Sequence, residues 1–125
     1  MKVSLFLIIV ASVLANDPLR VSKINKAKTR AKEAFNAGNF AAAISEYKYL
    51  IDSLDVQEEE VKLNLAHAYY LSKDTANAQT SYQELTASTK PVVSSVANQQ
   101  LGVMANQSKK PEDALSYFKQ ALRAD

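Results

Sequence analysis

The sequence predicts an all-α fold of six antiparallel helices arranged as three consecutive helix-turn-helix pairs. The first observation is a hairpin pattern over residues 63–85, in which apolar residues recur three and four positions apart on both sides of a polar break at residues 72–74. The second is that similar pairs flank this hairpin on both sides. The third is an apolar content of 47% in 125 residues without cysteine, so packing has to stabilise a single domain.

Three structural positions recur along the chain at matching intervals. A small residue of the first helix, a small residue of the second helix and an aromatic residue of the second helix each recur after 35 and then 36 residues. These sets are Ala31, Ala66 and Gly102, then Ala43, Ala78 and Ala114, and then Tyr47, Tyr82 and Phe118. A single hairpin cannot bury both of its apolar faces, so this period predicts that the hairpins stack on one another.

The first pair is predicted to occupy residues 18–36 and 40–54. Asp17 is a suitable N-cap, and Pro18 suits the first helical position because its missing amide has no partner there. Gly38 is expected to end the first helix, since glycine readily adopts the left-handed conformation that closes many helices. The first helix is also strongly basic, with Arg20, Lys23, Lys26, Lys28, Arg30 and Lys32.

The second pair is predicted to begin with a capping box formed by Asp55 and Glu58. Glu58 opens an acidic run whose charge complements the helix dipole, and the helix is expected to end near Leu71. Asp74 is the expected N-cap of the following helix, which should cover residues 75–88.

The helices of the third pair are expected to start at Pro91 and Pro111, and the first of them should reach about Asn106. The sequence then ends without a further helix that would cover the last apolar face, which a stacked array normally needs. Two explanations stay open. We favour a fragment of a longer protein over a face that pairs with another chain.

These residues resemble those of the tetratricopeptide-repeat (TPR) family, whose repeat is about 34 residues long. The pattern of small and aromatic residues is carried by Ala66, Tyr69, Ala78 and Tyr82, whereas the first copy has Ala27 where the family often has Trp. The resemblance implies a right-handed α-solenoid of about three repeats within a TPR domain of residues 16–125. The repeats would be about 24–57, 59–92 and 95–125.

The N-terminus predicts export. A weakly basic start at Lys2 precedes an apolar run at residues 3–14, which is too short to span a bilayer and is typical of a signal peptide covering residues 1–15. An uncleaved anchor or a buried first helix is the alternative. We therefore expect a soluble periplasmic or secreted protein. The chain also resembles the periplasmic TPR proteins of Bacteroidota aerotolerance (Bat) operons, which implies work in an envelope complex with membrane proteins.

Composition argues against several other functions. A formal charge of +2 is too small to indicate nucleic-acid binding. His67 is the only histidine and there is no cysteine, so the residues for a metal site or a thiol nucleophile are missing. No glycine-rich phosphate loop is present. We therefore predict no enzyme activity, no cofactor and no metal site.

The TPR resemblance implies that the first helix of each repeat lines a concave groove that holds an extended peptide or a partner helix. The residues at the corresponding positions are Lys28, Lys32, Phe35, Asn64, His67, Tyr70, Leu71, Gln99, Gln100, Val103 and Asn106. One end of this groove would be basic and the remainder polar and aromatic.

Some TPR proteins bind a C-terminal carboxylate with lysine, asparagine and arginine. Lys28, Lys32 and Asn64 could supply part of such a site, but Gln99 and Gln100 replace the remaining cations. We therefore expect an exported scaffold or adaptor that binds a peptide or a partner protein, possible partners being envelope membrane proteins. The alternative is a structural module that self-associates through its last repeat.

Overall fold

A computed structural model describes residues 17–123. Its helices are α1 (Pro18–Asn36), α2 (Phe40–Lys48), α3 (Glu59–Leu71), α4 (Thr75–Leu85), α5 (Pro91–Gln107) and α6 (Pro111–Arg123). Each helix packs mainly against its neighbours along the chain, most extensively in the pairs α1–α2, α3–α4 and α5–α6. The predicted all-α class, with six helices in sequential pairs, is confirmed for this part of the chain.

The predicted signal peptide, residues 1–15, lies outside the described residues. Between residues 17 and 123, no helix combines the length and the apolar character needed to cross a membrane.

The helix starts follow the local signals in the sequence. The Asp17 carboxylate accepts a hydrogen bond from the backbone amide two residues later at 3.0 Å, and Pro18 is the first residue of α1. The Asp74 carboxylate likewise accepts from the amide three residues later at 3.3 Å and caps α4. Gly38 follows the end of α1 with φ +76°, a left-handed conformation that glycine adopts at little cost.

The predicted capping box of Asp55 and Glu58 is wrong. Asp55 adopts a left-handed conformation with φ +53°, and α3 begins one residue after Glu58, which forms no side-chain cap. Between them Val56 is only 4% exposed, and its N–H donates to the Leu50 carbonyl at 2.9 Å. This tight turn buries Val56 in the core and prevents Asp55 from reaching the first amides of α3.

The hydrogen-bonding pattern of one helix and the end of another also differ from the prediction. The second helix continues past Lys48 as a π-helical turn, Tyr49–Ser53, in which the Leu54 N–H donates to the Tyr49 carbonyl five residues earlier. Helix α4 ends at Leu85, three residues before the predicted end, and the carbonyl of Thr86 that follows it accepts a hydrogen bond from the Ser94 hydroxyl of α5.

The core consists of two clusters that share α3. The first cluster lies among α1, α2 and α3 and contains Ala27, Ala31, Ala43, Tyr47, Leu50, Val56, Val61 and Ala68. The second lies among α3, α4 and α5 and contains Ala66, Ala78, Tyr82, Leu85, Val93, Ala97, Leu101 and Met104. Because α3 contributes residues to both clusters, it joins the two halves of the molecule.

Candidate functional site

A cleft of about 510 Å³ lies between α1 and α3, and we call it the α1–α3 cleft. Four of the residues that line it belong to the predicted groove, namely Lys28, Lys32, Phe35 and Asn64. The sequence did not indicate the others, which are Asn36, Tyr47, Glu58, Glu60 and Val61. Of the predicted groove residues, the cleft therefore contains the three that lie on α1 and one that lies on α3, Asn64.

Helix geometry explains why these side chains share the cleft. Lys28, Lys32 and Phe35 are four and three residues apart, a spacing that aligns side chains on one face of α1. A different face of α1 carries Ala27 and Ala31, which are fully buried in the first cluster. Burial of that alanine face orients α1 so that Lys28, Lys32 and the half-buried Phe35 line the cleft toward α3.

The rim of the α1–α3 cleft carries charges of both signs. The Lys28 ammonium lies 2.9 Å from both carboxylate oxygens of Glu58, and the Glu60 carboxylate lies 2.9 Å from the Lys90 ammonium. The hydrogen bond from Lys90 lowers the pKa of Glu60, and the same bond raises the pKa of Lys90. Lys32 is in no ion pair with another residue between positions 17 and 123. The predicted basic end of the groove is therefore balanced by two glutamates.

The floor of the cleft is apolar and well packed. Tyr47 is 6% exposed and Val61 5% exposed, and burial raises the pKa of the Tyr47 hydroxyl. The half-buried ring of Phe35 packs edge-to-face against Phe40, with ring centroids 5.5 Å apart. An apolar floor with a few polar groups around it suits a ligand that has one apolar side chain and a charged or polar backbone region.

His67 lies outside the α1–α3 cleft and contacts α4. Its Nδ1 forms a hydrogen bond with the hydroxyl of the buried Tyr82, and the two rings lie 5.5 Å apart. Burial lowers the pKa of His67 and raises that of Tyr82. Burial therefore favours the neutral form of His67, and one of its two ring nitrogens is engaged within the protein.

The remaining residues of the predicted groove lie along α3 and α5. The Tyr70 hydroxyl donates to the Gln107 side-chain oxygen at 3.0 Å and so connects α3 with α5. Leu71 is 46% exposed. On α5 the exposed members are Gln99 and Asn106, and the half-buried ones are Gln100 and Val103. None of these lines the α1–α3 cleft.

Comparisons of the chain with known protein families, with curated proteins and with solved structures found no match. The interpretation of the α1–α3 cleft therefore depends on its own residues and geometry. On those grounds the chain is a small all-helical protein whose six described helices pack in sequential pairs.

Proposed function

We propose that the chain is an exported, non-enzymatic scaffold or adaptor of the TPR type, which binds a peptide or a segment of a partner protein in a groove along α1, α3 and α5. The α1–α3 cleft is the observation that carries this proposal. Four of the residues that line it are those that the TPR resemblance assigns to the groove. Export is proposed from the apolar run at residues 3–14.

The burial pattern supports three stacked TPR repeats. The small residues of the first helices, Ala31, Ala66 and Gly102, are all buried. Those of the second helices, Ala43, Ala78 and Ala114, are buried as well. The Lys28–Glu58 ion pair links α1 to the residue that precedes α3, and Tyr70 and Gln107 link α3 to α5. First helices that contact one another would form the continuous surface that the proposed groove requires.

A ligand that matches the chemistry of the cleft would combine three features. An apolar side chain would pack on Phe35 and Val61, a backbone or side-chain amide would pair with Asn64, and an acidic group would pair with Lys32. A segment of an envelope membrane protein would satisfy these requirements, in keeping with the resemblance to the periplasmic proteins of aerotolerance operons.

Site-specific photocrosslinking in the native envelope tests the proposal. A photoreactive residue at Asn64 should give one discrete crosslinked partner, whereas the same residue at Gln83, which is exposed on α4, should not. Lys32→Glu should reduce the Asn64 crosslink, while Lys26→Glu on the same helix should leave it intact. Crosslinking at Gln83 as strong as at Asn64, or no effect of Lys32→Glu, would contradict the proposal.

A self-association module remains the second candidate function, and one observation favours it. Helix α6 exposes 54% of Leu115 and 75% of Leu122. Such exposure of large apolar side chains on one helix is typical of a contact surface. The two functions are separable, because α6 contributes no residue to the α1–α3 cleft.

A further inference from the structure

The ion pair between Lys28 and Glu58 forms part of the lining of the α1–α3 cleft. Both carboxylate oxygens of Glu58 lie 2.9 Å from the Lys28 ammonium. An acidic ligand would bind this ammonium through the same kind of charge-assisted hydrogen bonds. Glu58 therefore occupies, within the chain itself, a position that the carboxylate of a ligand could otherwise take.

Lys32 offers a second anion-binding position on the same face of α1. It is exposed and forms no ion pair with another residue between positions 17 and 123. Four residues of helix separate Lys28 from Lys32, a distance of about 6 Å along the axis. Alternate residues of an extended segment are about 6.6 Å apart, and their side chains point to the same side. Two acidic residues at alternate positions of a bound segment would therefore match the spacing of the two lysines.

The two glutamates that follow Glu58 have other partners. The Glu59 carboxylate accepts a hydrogen bond from a serine hydroxyl in the turn after α4. The Glu60 carboxylate lies 2.9 Å from the Lys90 ammonium, and this bond lowers the pKa of Glu60 more than the charge of Lys28 does. Of the three glutamates, Glu58 is therefore the one whose charge balances Lys28.

We propose that Glu58 determines the specificity of the α1–α3 cleft, because it takes the place of one ligand carboxylate and so restricts the cleft to segments with a single acidic residue. That residue pairs with Lys32, and an apolar residue at the next alternate position packs on Phe35, which lies less than one helical turn beyond Lys32. A second acidic residue would gain Lys28 only by displacing Glu58, so it would add nothing to the affinity. This inference rests on the proposed function of the cleft, and it specifies how many acidic groups the ligand carries.

The position of Glu58 suits a role in specificity better than a role in stability. Glu58 precedes α3 in an extended backbone conformation, and its side chain forms no cap of that helix. The side chains of Lys28 and Glu58 are 36% and 56% exposed, and ion pairs so open to water contribute little to folding. Replacing Glu58 should therefore leave the fold intact and change the charge that the cleft presents to a ligand.

Titration of isotope-labelled protein, purified from cells that express the full chain, with blocked peptides tests the specificity by nuclear magnetic resonance. The singly acidic peptide acetyl-Asn-Ser-Asp-Ser-Leu-amide should shift the amide resonances of Val61 and Asn64 in the wild type. The doubly acidic peptide acetyl-Asp-Ser-Asp-Ser-Leu-amide should bind the wild type no more tightly. Glu58→Gln should bind the doubly acidic peptide about 3- to 5-fold more tightly than the singly acidic one, since an exposed ion pair changes an equilibrium constant by up to about fivefold.

Two further variants test whether the change in specificity depends on Lys28. Combining Lys28→Gln with Glu58→Gln should return the two peptides to equal affinities, because the second acidic residue then has no partner. Glu46→Gln is the matched control, since Glu46 forms a similar ion pair of 2.9 Å with Arg30 but does not line the cleft. This control should leave the affinities for both peptides unchanged.

A wild type that prefers the doubly acidic peptide several-fold would overturn the proposal. So would a Glu58→Gln protein without that preference, or a Glu46→Gln protein that acquires it. If neither peptide binds the wild type or Glu58→Gln at millimolar concentration, the proposal is likewise wrong. The proposed function can fail separately, because it depends on whether photocrosslinking at Asn64 finds a partner in the native envelope.

Discussion

Gly102 shows how a single residue sets the spacing of two helices. It is buried in α5 below the ring of Phe118, and a Cβ atom at this position would lie only 2.5 Å from Cε1 of that ring. A larger side chain would therefore push α6 away from α5. The same contact partly buries Phe118.

We expect Gly102→Ala to lower the free energy of unfolding by about 1 kcal/mol. Alanine favours the helix by up to about 1 kcal/mol, but displacing a packed ring typically costs about 1–3 kcal/mol. Urea unfolding followed by circular dichroism measures the difference. In a Phe118→Leu background the same substitution should cost less. A Gly102→Ala protein that is more stable than the wild type would show that the ring moves freely.

His67 should make the stability of the fold depend on pH. Burial lowers its pKa in the folded state below the ordinary histidine value near 6.5. As the pH falls below about 6.5, the unfolded chain binds a proton on His67 that the folded chain resists, so the free energy of unfolding decreases. Above that pH both states are neutral, and His67 causes no further change.

The urea concentration at which half of the protein is unfolded, measured at about pH 7.5 and about pH 5.5, tests this expectation. Carboxylates titrate mainly below that pH range and should contribute little to the difference. The wild type should have the lower midpoint at the lower pH. His67→Gln, which can still accept a hydrogen bond from Tyr82, should show a much smaller difference. An unchanged pH dependence in that variant would assign the effect to other groups.

At the scale of the helix, boundaries marked by local signals were predictable, and the boundaries that differ involve tertiary contacts. Asp17 and Asp74 cap amides only two or three residues away, so the sequence contains all the information that their positions need. Asp55 carries the same type of side chain, but burial of Val56 imposes a left-handed turn there. Just past the end of α4, the Thr86 carbonyl accepts a hydrogen bond from Ser94 of the next helix, a contact that no local pattern reveals.

Local signals and contacts between distant residues can also be distinguished at the α1–α3 cleft. Lys28 and Lys32 were assigned to the groove from the TPR resemblance, and both line the cleft. The contribution of Glu58 depends on an ion pair that joins residues 30 positions apart. Only the tertiary fold brings these two side chains together, so the pairing of charges at the cleft could not be predicted from the sequence.

The cap at Asp74 yields a prediction for an entire helix. Its two carboxylate oxygens accept from the backbone amide and the side-chain amide of Asn77, at 3.3 and 2.7 Å. Asp74→Ala should lower the free energy of unfolding by about 1 kcal/mol, because the first turn of α4 loses its acceptor. Asp74→Ser retains an acceptor and should cost less. The free energies of unfolding are measured by thermal or urea unfolding. If both variants lose the same amount, the cap does not stabilise α4.

At the scale of the molecule, α3 is the one helix that contributes buried residues to both core clusters. Leu50 is fully buried in the first cluster, and Leu101, 2% exposed, is buried in the second. Helix α3 supplies Val61 to the first cluster and Ala66 to the second. Because contacts are mainly between successive helices, the two ends of the molecule can open with different free energies.

Leu50→Ala and Leu101→Ala form a matched pair that tests this independence. Each removes a buried leucine and should destabilise its own cluster by about 2–5 kcal/mol. In native-state hydrogen exchange, Leu50→Ala should reduce protection more in α1 and α2 than in α5 and α6, and Leu101→Ala should do the reverse. Amides of α3 should lose protection in both variants, since α3 belongs to both clusters. Equal losses across all six described helices in either variant would instead show that the molecule unfolds as one cooperative unit.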